Sequence, residues 1–471
     1  MNDPVSESIA AFFEKRLEAG NNVCVALSGG RDSVVLLHEI KRLGDSSQTP
    51  FSLSALHVHH GLSPKADEWA EFCLSLGGRL GVPVVVSRVE VPRVGGEGIE
   101  GAARRARYAA LAASGADWVV LGHHRDDQAE TLLLNLLRGA GIAGASGMSP
   151  ERAAFFGSTH RGPRFARPLL DVPRAAIDAY AKRVNLTWID DESNDDTRFR
   201  RNFLRHDILA CLETVFPNAR RKLARAAKHF AESRILLDEL AALDRDRLMS
   251  AKGRILLEGF NELSLPRARN LLRFLWMNAG FSMPDKRWID EALRQLAFAS
   301  AGIHVSTVDG ELRVYRGELF VLPHRPAPPD LPLKYALESA LKGGGIPWAG
   351  GVIRLARVKA QGVRRESIGA DPLVFQTLRS GERMKLHPGR PRKPLAKLFQ
   401  EAGIPVWERR RLPSLWLQGR LIWVGGIGVD AAYSCECGEE GISLIWSDYI
   451  IEQLDSRQDH GDGDDLIEQP L

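Results

Sequence analysis

The sequence predicts an α/β protein with three parts. These are an N-terminal parallel-sheet domain of Rossmann-like organisation, a mainly helical middle domain and a small α+β C-terminal domain. Three observations predict it. Between residues 23 and 137, short uninterrupted apolar runs alternate with amphipathic stretches, the pattern of strands buried on both faces and covered by helices. Between 216 and 277 the segments lengthen and carry charge throughout, as surface helices do. From 334 to 450, short apolar runs separated by Gly turns take over, as in a small sheet-rich module.

The elements follow in order. Residues 23–27 read as a buried strand and 34–43 as a helix; 53–58 and 67–80, then 82–86 and 101–113, then 118–121 and 127–137 repeat the pair. In such sheets ligands bind at the carboxyl ends of the strands. Past about residue 190 the alternation fades. Residues 216–248 read as a long charged helix, 264–277 as a helix entered through Pro266, and 303–322 as a small sheet. The run His324-Arg325-Pro326-Ala327-Pro328-Pro329-Asp330 is stiff by composition and reads as a linker. The expected boundaries are 1–215, 216–325, 334–450 and a polar acidic tail at 451–471, whose end reads as disordered.

Composition narrows the function classes. The 471 residues suffice for two or three cores. No uncharged apolar stretch of about 18 residues appears, so no membrane span is expected. The first residues lack the basic and apolar regions of a secretory signal. Five scattered cysteines make no disulfide framework, which fits a cytoplasmic protein. Cys435-Glu436-Cys437 lacks a second pair or a His cluster and reads as chance rather than a metal site. Lys and Arg total 63 against 59 Asp and Glu, a net charge of +4. That balance conceals a basic segment at 379–411 and an acidic one at 459–468. The basic segment points to an anionic partner, with a solvated surface as the alternative.

Chemistry concentrates where strands should end. Ser28-Gly29-Gly30-Arg31-Asp32-Ser33 lies between the first strand and its helix. Backbone N–H groups in a Gly-rich turn form an anion nest, and the helix N-terminus adds positive potential. Ser28 and Ser33 can add hydroxyls. Asp32 suits a phosphate site only as a Mg²⁺ ligand; the alternative is that Asp32 or Ser33 caps the helix. The loop lacks the Gly-Lys-Ser/Thr ending of a Walker A motif. His57-Val58-His59-His60-Gly61-Leu62 closes the second strand. Without Cys or carboxylate ligands beside it, it reads as a nucleotide-contacting loop (His57, His59, His60) rather than a zinc site.

Two further segments complete the set. In Gly122-His123-His124-Arg125-Asp126-Asp127-Gln128-Ala129-Glu130-Thr131, Asp127 and Glu130 are three apart and share one helix face. Together they can hold Mg²⁺ or a cationic substrate; capping accounts for Asp126 or Asp127, but not for Glu130 and the His pair as well. In Ala103-Arg104-Arg105-Ala106-Arg107-Tyr108, Arg104 and Arg107 share a face suited to phosphate or carboxylate. A solvated basic face is the alternative.

These segments resemble the tRNA(Ile)-lysidine synthetase family. The hexad resembles the SGGxDS loop of N-type ATP pyrophosphatases, of the PP-loop superfamily and the adenine nucleotide α-hydrolase type of fold. The resemblance continues through Arg167-Pro168-Leu169-Leu170, Trp188-Ile189-Asp190-Asp191-Glu192-Ser193-Asn194 and Phe199-Arg200-Arg201-Asn202-Phe203-Leu204-Arg205. Farther on it includes residues 265–322, the run Lys393-Pro394-Leu395-Ala396-Lys397 and Trp407-Glu408-Arg409-Arg410-Arg411.

The resemblance implies a ligase that joins free L-lysine to C2 of the wobble cytidine of a CAU-anticodon tRNA(Ile). The base is first adenylated by ATP, and decoding changes from Met to Ile. It implies a catalytic domain at 1–215, a tRNA-contacting middle domain, and a C-terminal tRNA-binding domain. Ser28, Gly29, Gly30, Arg31, Asp32 and Ser33 would hold ATP, and Asp32, with Asp127, Mg²⁺. Asp127 and Glu130 are also candidates for the amines of lysine. His123 or His124 would stabilise phosphate charge, and Arg104 or Arg107 would bind a carboxylate or phosphate. Arg201, Asn202 and Arg205, with Lys393, Lys397, Arg409, Arg410 and Arg411, would contact tRNA. The oligomeric state is left open, a homodimer included. The rival reading is an ATP-dependent tRNA thiolase on the same fold. It needs paired cysteines, whereas only Cys24 and Cys73 fall among these motifs.

Overall fold

The structure, a computed structural model, describes residues 3–47, 49–92, 98–156, 160–298, 302–379, 381–436 and 438–448. The acidic tail and Cys437 lie outside the described residues. The chain divides into two compact units, Met1–Asp244 and Arg245–Leu471.

The first unit opens with α1 (Pro4–Phe13), where Asp3 caps the helix by accepting from the Val5 amide at 2.8 Å. Then come β1 (Asn22–Ala26), α2 (Arg31–Ser46), β2 (Ser52–His59), α3 (Ala66–Leu80), β3 (Val84–Arg88), α4 (Gly98–Ala112), β4 (Trp118–Val120) and α5 (Arg125–Leu137). A short α6 (Ile142–Ala145), strands β5 (Glu151–Phe156) and β6 (His160–Ala166), and α7 (Arg174–Arg183) follow. The sheet order is β3-β2-β1-β4-β6-β5; all neighbours are parallel except β5, which runs antiparallel to β6. Successive side chains of a strand point to opposite faces. Val23 and Val25 of β1 therefore join the core under α1, α2 and α7, while Cys24 joins Leu111 of α4 on the other face. Both faces are covered, as the apolar runs predicted. Strand order turns back between β1 and β4, which opens a crevice at their carboxyl ends.

Three elements of this unit escape a reading by periodicity. The β5–β6 hairpin closes one side of the sheet with mixed charge (Glu151, Arg152, Arg164), and its outer strand β5, as an edge strand, needs no apolar run. α7 buries only Ile177, Tyr180 and Ala181. α1 lies ahead of the first strand, outside the repeating pair. Beyond α7 the chain makes α8 (Arg200–Phe203), a π-turn over Leu204–Ile208, α9 (Leu209–Val215) and the long α10 (Ala219–Leu248).

In the second unit, β7 (Ile255–Leu256), α11 (Leu257–Asn261), α12 (Leu265–Asn278), α13 (Lys286–Ala297), β8 (His304–Ser306), β9 (Gly310–Tyr315) and β10 (Glu318–Pro323) form one module. Its antiparallel sheet has the order β7-β10-β9-β8 and packs on Leu271, Leu272, Trp276, Ile289 and Leu296. Residues 333–448 hold a five-stranded and a four-stranded sheet. The second is built on Gly351–Lys359 paired with Glu440–Asp448. The helix Leu395–Glu401 buries Leu395, Leu398 and Phe399. No helix of the described residues is long and apolar enough to cross a membrane.

Candidate active site

The loop after β1 is fixed from below. Val34, Val35, Leu36 and Leu37 of α2 are fully buried, each contributing about 1.5–3 kcal/mol of burial, so the helix start that carries the loop is anchored. Gly29 has φ +86°, a left-handed conformation open to glycine. A Cβ there would sit 2.6 Å from Ile189 Cδ1 and 3.3 Å from Cys73 Sγ. The Ile189 amide donates to the Gly29 carbonyl at 2.9 Å, which packs the Trp188-to-Asp191 segment against the loop. Ser33 Oγ donates to the Gly30 carbonyl at 2.8 Å and accepts from the Ser28 amide at 3.2 Å. That buried hydroxyl braces the loop, and Ser28, though exposed, turns its Oγ inward, accepting from the Gly30 amide at 3.3 Å and lying 3.1 Å from Ser33 Oγ. Arg31 turns aside: Nη1 lies 2.7 Å from Asp178 Oδ1, and its guanidinium carbon 5.8 Å from the Trp188 ring.

The capping reading of Asp32 does not hold. The N-cap of α2 is Gly30, with no side-chain cap. Asp32 instead faces the end of β4. Gly122 permits this approach, because a Cβ there would lie 3.1 Å from the Asp32 carbonyl. His124 Nε2 then stands 3.7 Å from Asp32 Oδ2 and 3.6 Å from Asp127 Oδ2. His124 Nδ1 accepts from the Asp126 amide at 3.2 Å, so in the neutral ring Nε2 carries the proton.

Capping does describe Asp127. His124 is the N-cap of α5, and Asp127 Oδ2 accepts from its amide at 3.0 Å, closing a capping box. Asp127 Oδ1 accepts from Arg201 Nη2 at 2.9 Å and Arg205 Nη2 at 3.2 Å. Glu130, buried, accepts from Arg201 Nε at 2.8 Å and Arg205 Nε at 2.6 Å. The carboxylates and the arginines expected to meet different ligands thus meet each other, through the π-turn that carries Arg205. Burial would raise the Asp127 carboxyl, but His124 and Arg201 hold it at about 2. Both Asp127 oxygens are engaged, which corrects the expectation of a ligand free for metal. Asp32 Oδ1 is buried without a hydrogen-bond partner, so Asp32 is the carboxylate that fits Mg²⁺. Among the described residues, no three His, Cys, Asp or Glu side chains gather as a metal site.

The remaining candidates separate. His123 is half-buried; desolvation, opposed by Asp127 and aided by Arg167, Arg201 and Arg107, holds its imidazole at about 3, and neutral. Arg107 turns inward while Arg104 is exposed, both over the Tyr108 ring at 5.9 and 5.1 Å. His57 is buried under the loop and donates Nδ1–H to the Leu27 carbonyl at 2.9 Å. His59 turns to Asp67, 3.2 Å away. His60, lowered by burial and by Arg107, is the one beside the inward arginine. Asn202 Nδ2 donates to the Asp196 carbonyl at 3.0 Å. A residue to which the sequence assigned no role is Arg167, directly after β6 and 5% exposed. Its signal was its place at the head of the run Arg167-Pro168-Leu169-Leu170, which says nothing of what the cation binds.

In the second unit the basic candidates also divide. Lys393 pairs with Glu401 at 2.8 Å. Arg409 Nε donates to the Ile404 carbonyl at 3.0 Å, and Arg411 pairs with Glu408 at 3.1 Å and donates to the Ala349 carbonyl. Lys397 and Arg410 are exposed. Arg409 and Arg411 are tied into the fold, so the exposed cations of this group are Lys397 and Arg410.

A twisted parallel sheet with this loop at its switch point defines a nucleotide-binding PP-loop domain, and residues 1–212 match the PP-loop domain family. Residues 256–320 match the TilS substrate binding domain and 373–446 the TilS substrate C-terminal domain. Relatives match along most of the chain. The tRNA(Ile)-lysidine synthase of Azoarcus sp. (strain BH72) is 42% identical over 427 residues, covering 90% of this chain and 92% of that one. Those of Aromatoleum aromaticum and Nitrosomonas europaea are 41% and 38% identical, covering 90% and 93% of this chain and 97% and 94% of theirs. The chain belongs to the tRNA(Ile)-lysidine synthase family.

Proposed function

We propose that this chain is the ligase its relatives are named for, joining free lysine to C2 of the wobble cytidine of CAU-anticodon tRNA(Ile) at the expense of ATP. The observation that carries the reading is its 42% identity over 90% of the chain to a tRNA(Ile)-lysidine synthase. In the first step the cytidine O2 attacks the α-phosphorus, and the bond to the bridging oxygen of pyrophosphate breaks. In the second, the lysine ε-ammonium gives up a proton, the free amine attacks C2, the C2–O bond breaks, AMP leaves and the nitrogen loses a second proton.

The residues suit these steps. The amides between Ser28 and Ser33 that are not taken up by the loop's own hydrogen bonds would cradle phosphate. Asp32 would hold Mg²⁺, which supplies neutralisation of phosphate charge. His124 presents its Nε2–H between Asp32 and Asp127, where it can donate to a phosphate oxygen. His123, neutral, offers a hydrogen bond without a charge. Asp127 and Glu130, paired with Arg201 and Arg205, would accept the lysine amines only by exchanging those partners; a carboxyl held at about 2 orients an ammonium but takes its proton poorly. Arg201 and Arg205 then act inside the site, and their reach to tRNA is indirect. Residues 216–325 and 334–450 serve as the tRNA-contacting and tRNA-binding parts, with Lys397 and Arg410 as exposed phosphate contacts.

The thiolase reading is opposed by Cys24 and Cys73, both buried. Burial raises both thiols, Cys73 to about 12, whereas sulfur transfer requires a thiolate. The test is incubation with ATP, labelled lysine and CAU-anticodon tRNA. Label should become fixed to the tRNA, with AMP and pyrophosphate formed in step; sulfur transfer, or ATP cleavage indifferent to tRNA, would sink the proposal.

A further inference from the structure

The charges of the site do not cancel evenly. Asp127 and Glu130 are matched by Arg201 and Arg205. Arg107 and Arg167 are left over: neither has a carboxylate partner among the described residues. Arg167 donates from Nη1 to the Ser149 carbonyl at 2.9 Å and from Nη2 to Tyr108 Oη at 3.3 Å. Those neutral acceptors satisfy two of its N–H groups and none of its charge. Its Nε is buried without a partner, as is Arg107 Nε, and so are the Nδ1 atoms of His60 and His123.

Tyr108 ties the group together, accepting from Arg167 while its ring lies beneath Arg107 at 5.9 Å. The supports are the ends of strands β2, β4 and β6 and one turn of α4, all at the crevice edge of the sheet. A guanidinium buried without a counter-charge is strongly unfavourable unless an anion shares its space, and its planar fork fits an oxyanion in two-point fashion.

We infer that Arg107 and Arg167, linked by Tyr108, form a two-guanidinium subsite for an oxyanion of a substrate, with Arg167 as the binding residue not otherwise assigned. The inference rests on the ligase reading for its two candidate sources: a phosphate of ATP retained in pyrophosphate, or the carboxylate of free lysine. Both are oxyanions that a guanidinium pair binds.

The test is calorimetric titration of the full-length protein with two probes, inorganic pyrophosphate and L-lysine, for wild type, Arg167→Gln and Arg167→Lys. Loss of one charge-assisted contact weakens binding by about tenfold or more. Arg167→Gln should lose that factor for one probe and stay within about twofold for the other. Loss confined to pyrophosphate assigns a phosphate, and loss confined to lysine a carboxylate. Arg167→Lys, which keeps the charge if Arg167→Gln fails to fold, should lose the same probe more weakly. Unchanged binding of both probes overturns the inference. So does equal loss of both together with a lowered melting temperature, which would make Arg167 a structural tether. Failure of wild type to fix lysine on tRNA would sink the ligase reading while leaving a pyrophosphate result standing.

Discussion

Replacing Asp127 with Asn tests the charge cluster at the head of α5. The carboxyl drops from an ordinary 3.8 to about 2 on folding, and its side chain is only 10% exposed. That difference corresponds to about 2 kcal/mol of stability at neutral pH. A carboxyl lowered by folding contributes fully above its unfolded value, and the contribution disappears as pH falls through the folded one. By pH 3, about 1 kcal/mol of it is gone. Asn keeps the shape but leaves Arg201 and Arg205 facing Glu130 alone, an uncompensated buried charge. Urea denaturation of full-length wild type and Asp127→Asn at pH 7 and pH 3 measures the gap. The variant should be less stable by about 2 kcal/mol or more at pH 7, with the gap narrowing by about 1 kcal/mol at pH 3. Equal stability at pH 7, or a gap indifferent to pH, would refute the electrostatic account of the cluster.

Other outcomes follow from the same geometry. Asp32→Asn should lower adenylation by roughly 100-fold or more while tRNA affinity in filter binding stays near wild type; lost tRNA binding would contradict its role. Neutralising Lys397 and Arg410 together should make the slope of log affinity against log salt shallower by about 2, with little change in melting temperature. Arg409→Ala and Arg411→Ala should instead lower the melting temperature, and an unchanged slope in the first pair would remove those residues from the tRNA surface. Iodoacetamide at pH 8 should label the exposed Cys211 of the native protein and spare Cys24 and Cys73; rapid labelling of Cys73, read by mass spectrometry, would contradict its buried, protonated state.

The sequence made the first unit legible where burial imposes a pattern. The strands around Val25, Leu56 and Val119 are covered on both faces and read as apolar runs. The loop after β1 was legible because Gly-Gly between strand and helix has few other uses. What stayed hidden depended on contacts between distant segments. Nothing local shows that Arg201 and Arg205 close on Asp127 and Glu130, more than seventy positions earlier. Asp127 serves both cap and ion pair, so its spacing to Glu130 resembled a metal pair when the two lean on guanidiniums instead. The triple Arg409, Arg410 and Arg411 looked like one basic patch, yet the turn sends two of the three back into the fold. Arg167 stood in the run Arg167-Pro168-Leu169-Leu170, but nothing local marked it as a binding residue. Its meaning comes from burial beside Tyr108, which only the folded sheet creates.

In the proposed reaction the wobble cytidine is adenylated first and then receives lysine. That order is tested most directly by mass spectrometry of that nucleoside in CAU-anticodon tRNA after incubation with ATP, first without lysine and then with it. The account predicts an AMP adduct on the cytidine in the first sample, and in the second its replacement by a lysine adduct with release of AMP. Lysine attached without a prior AMP adduct, or no change to the cytidine in either sample, would contradict it.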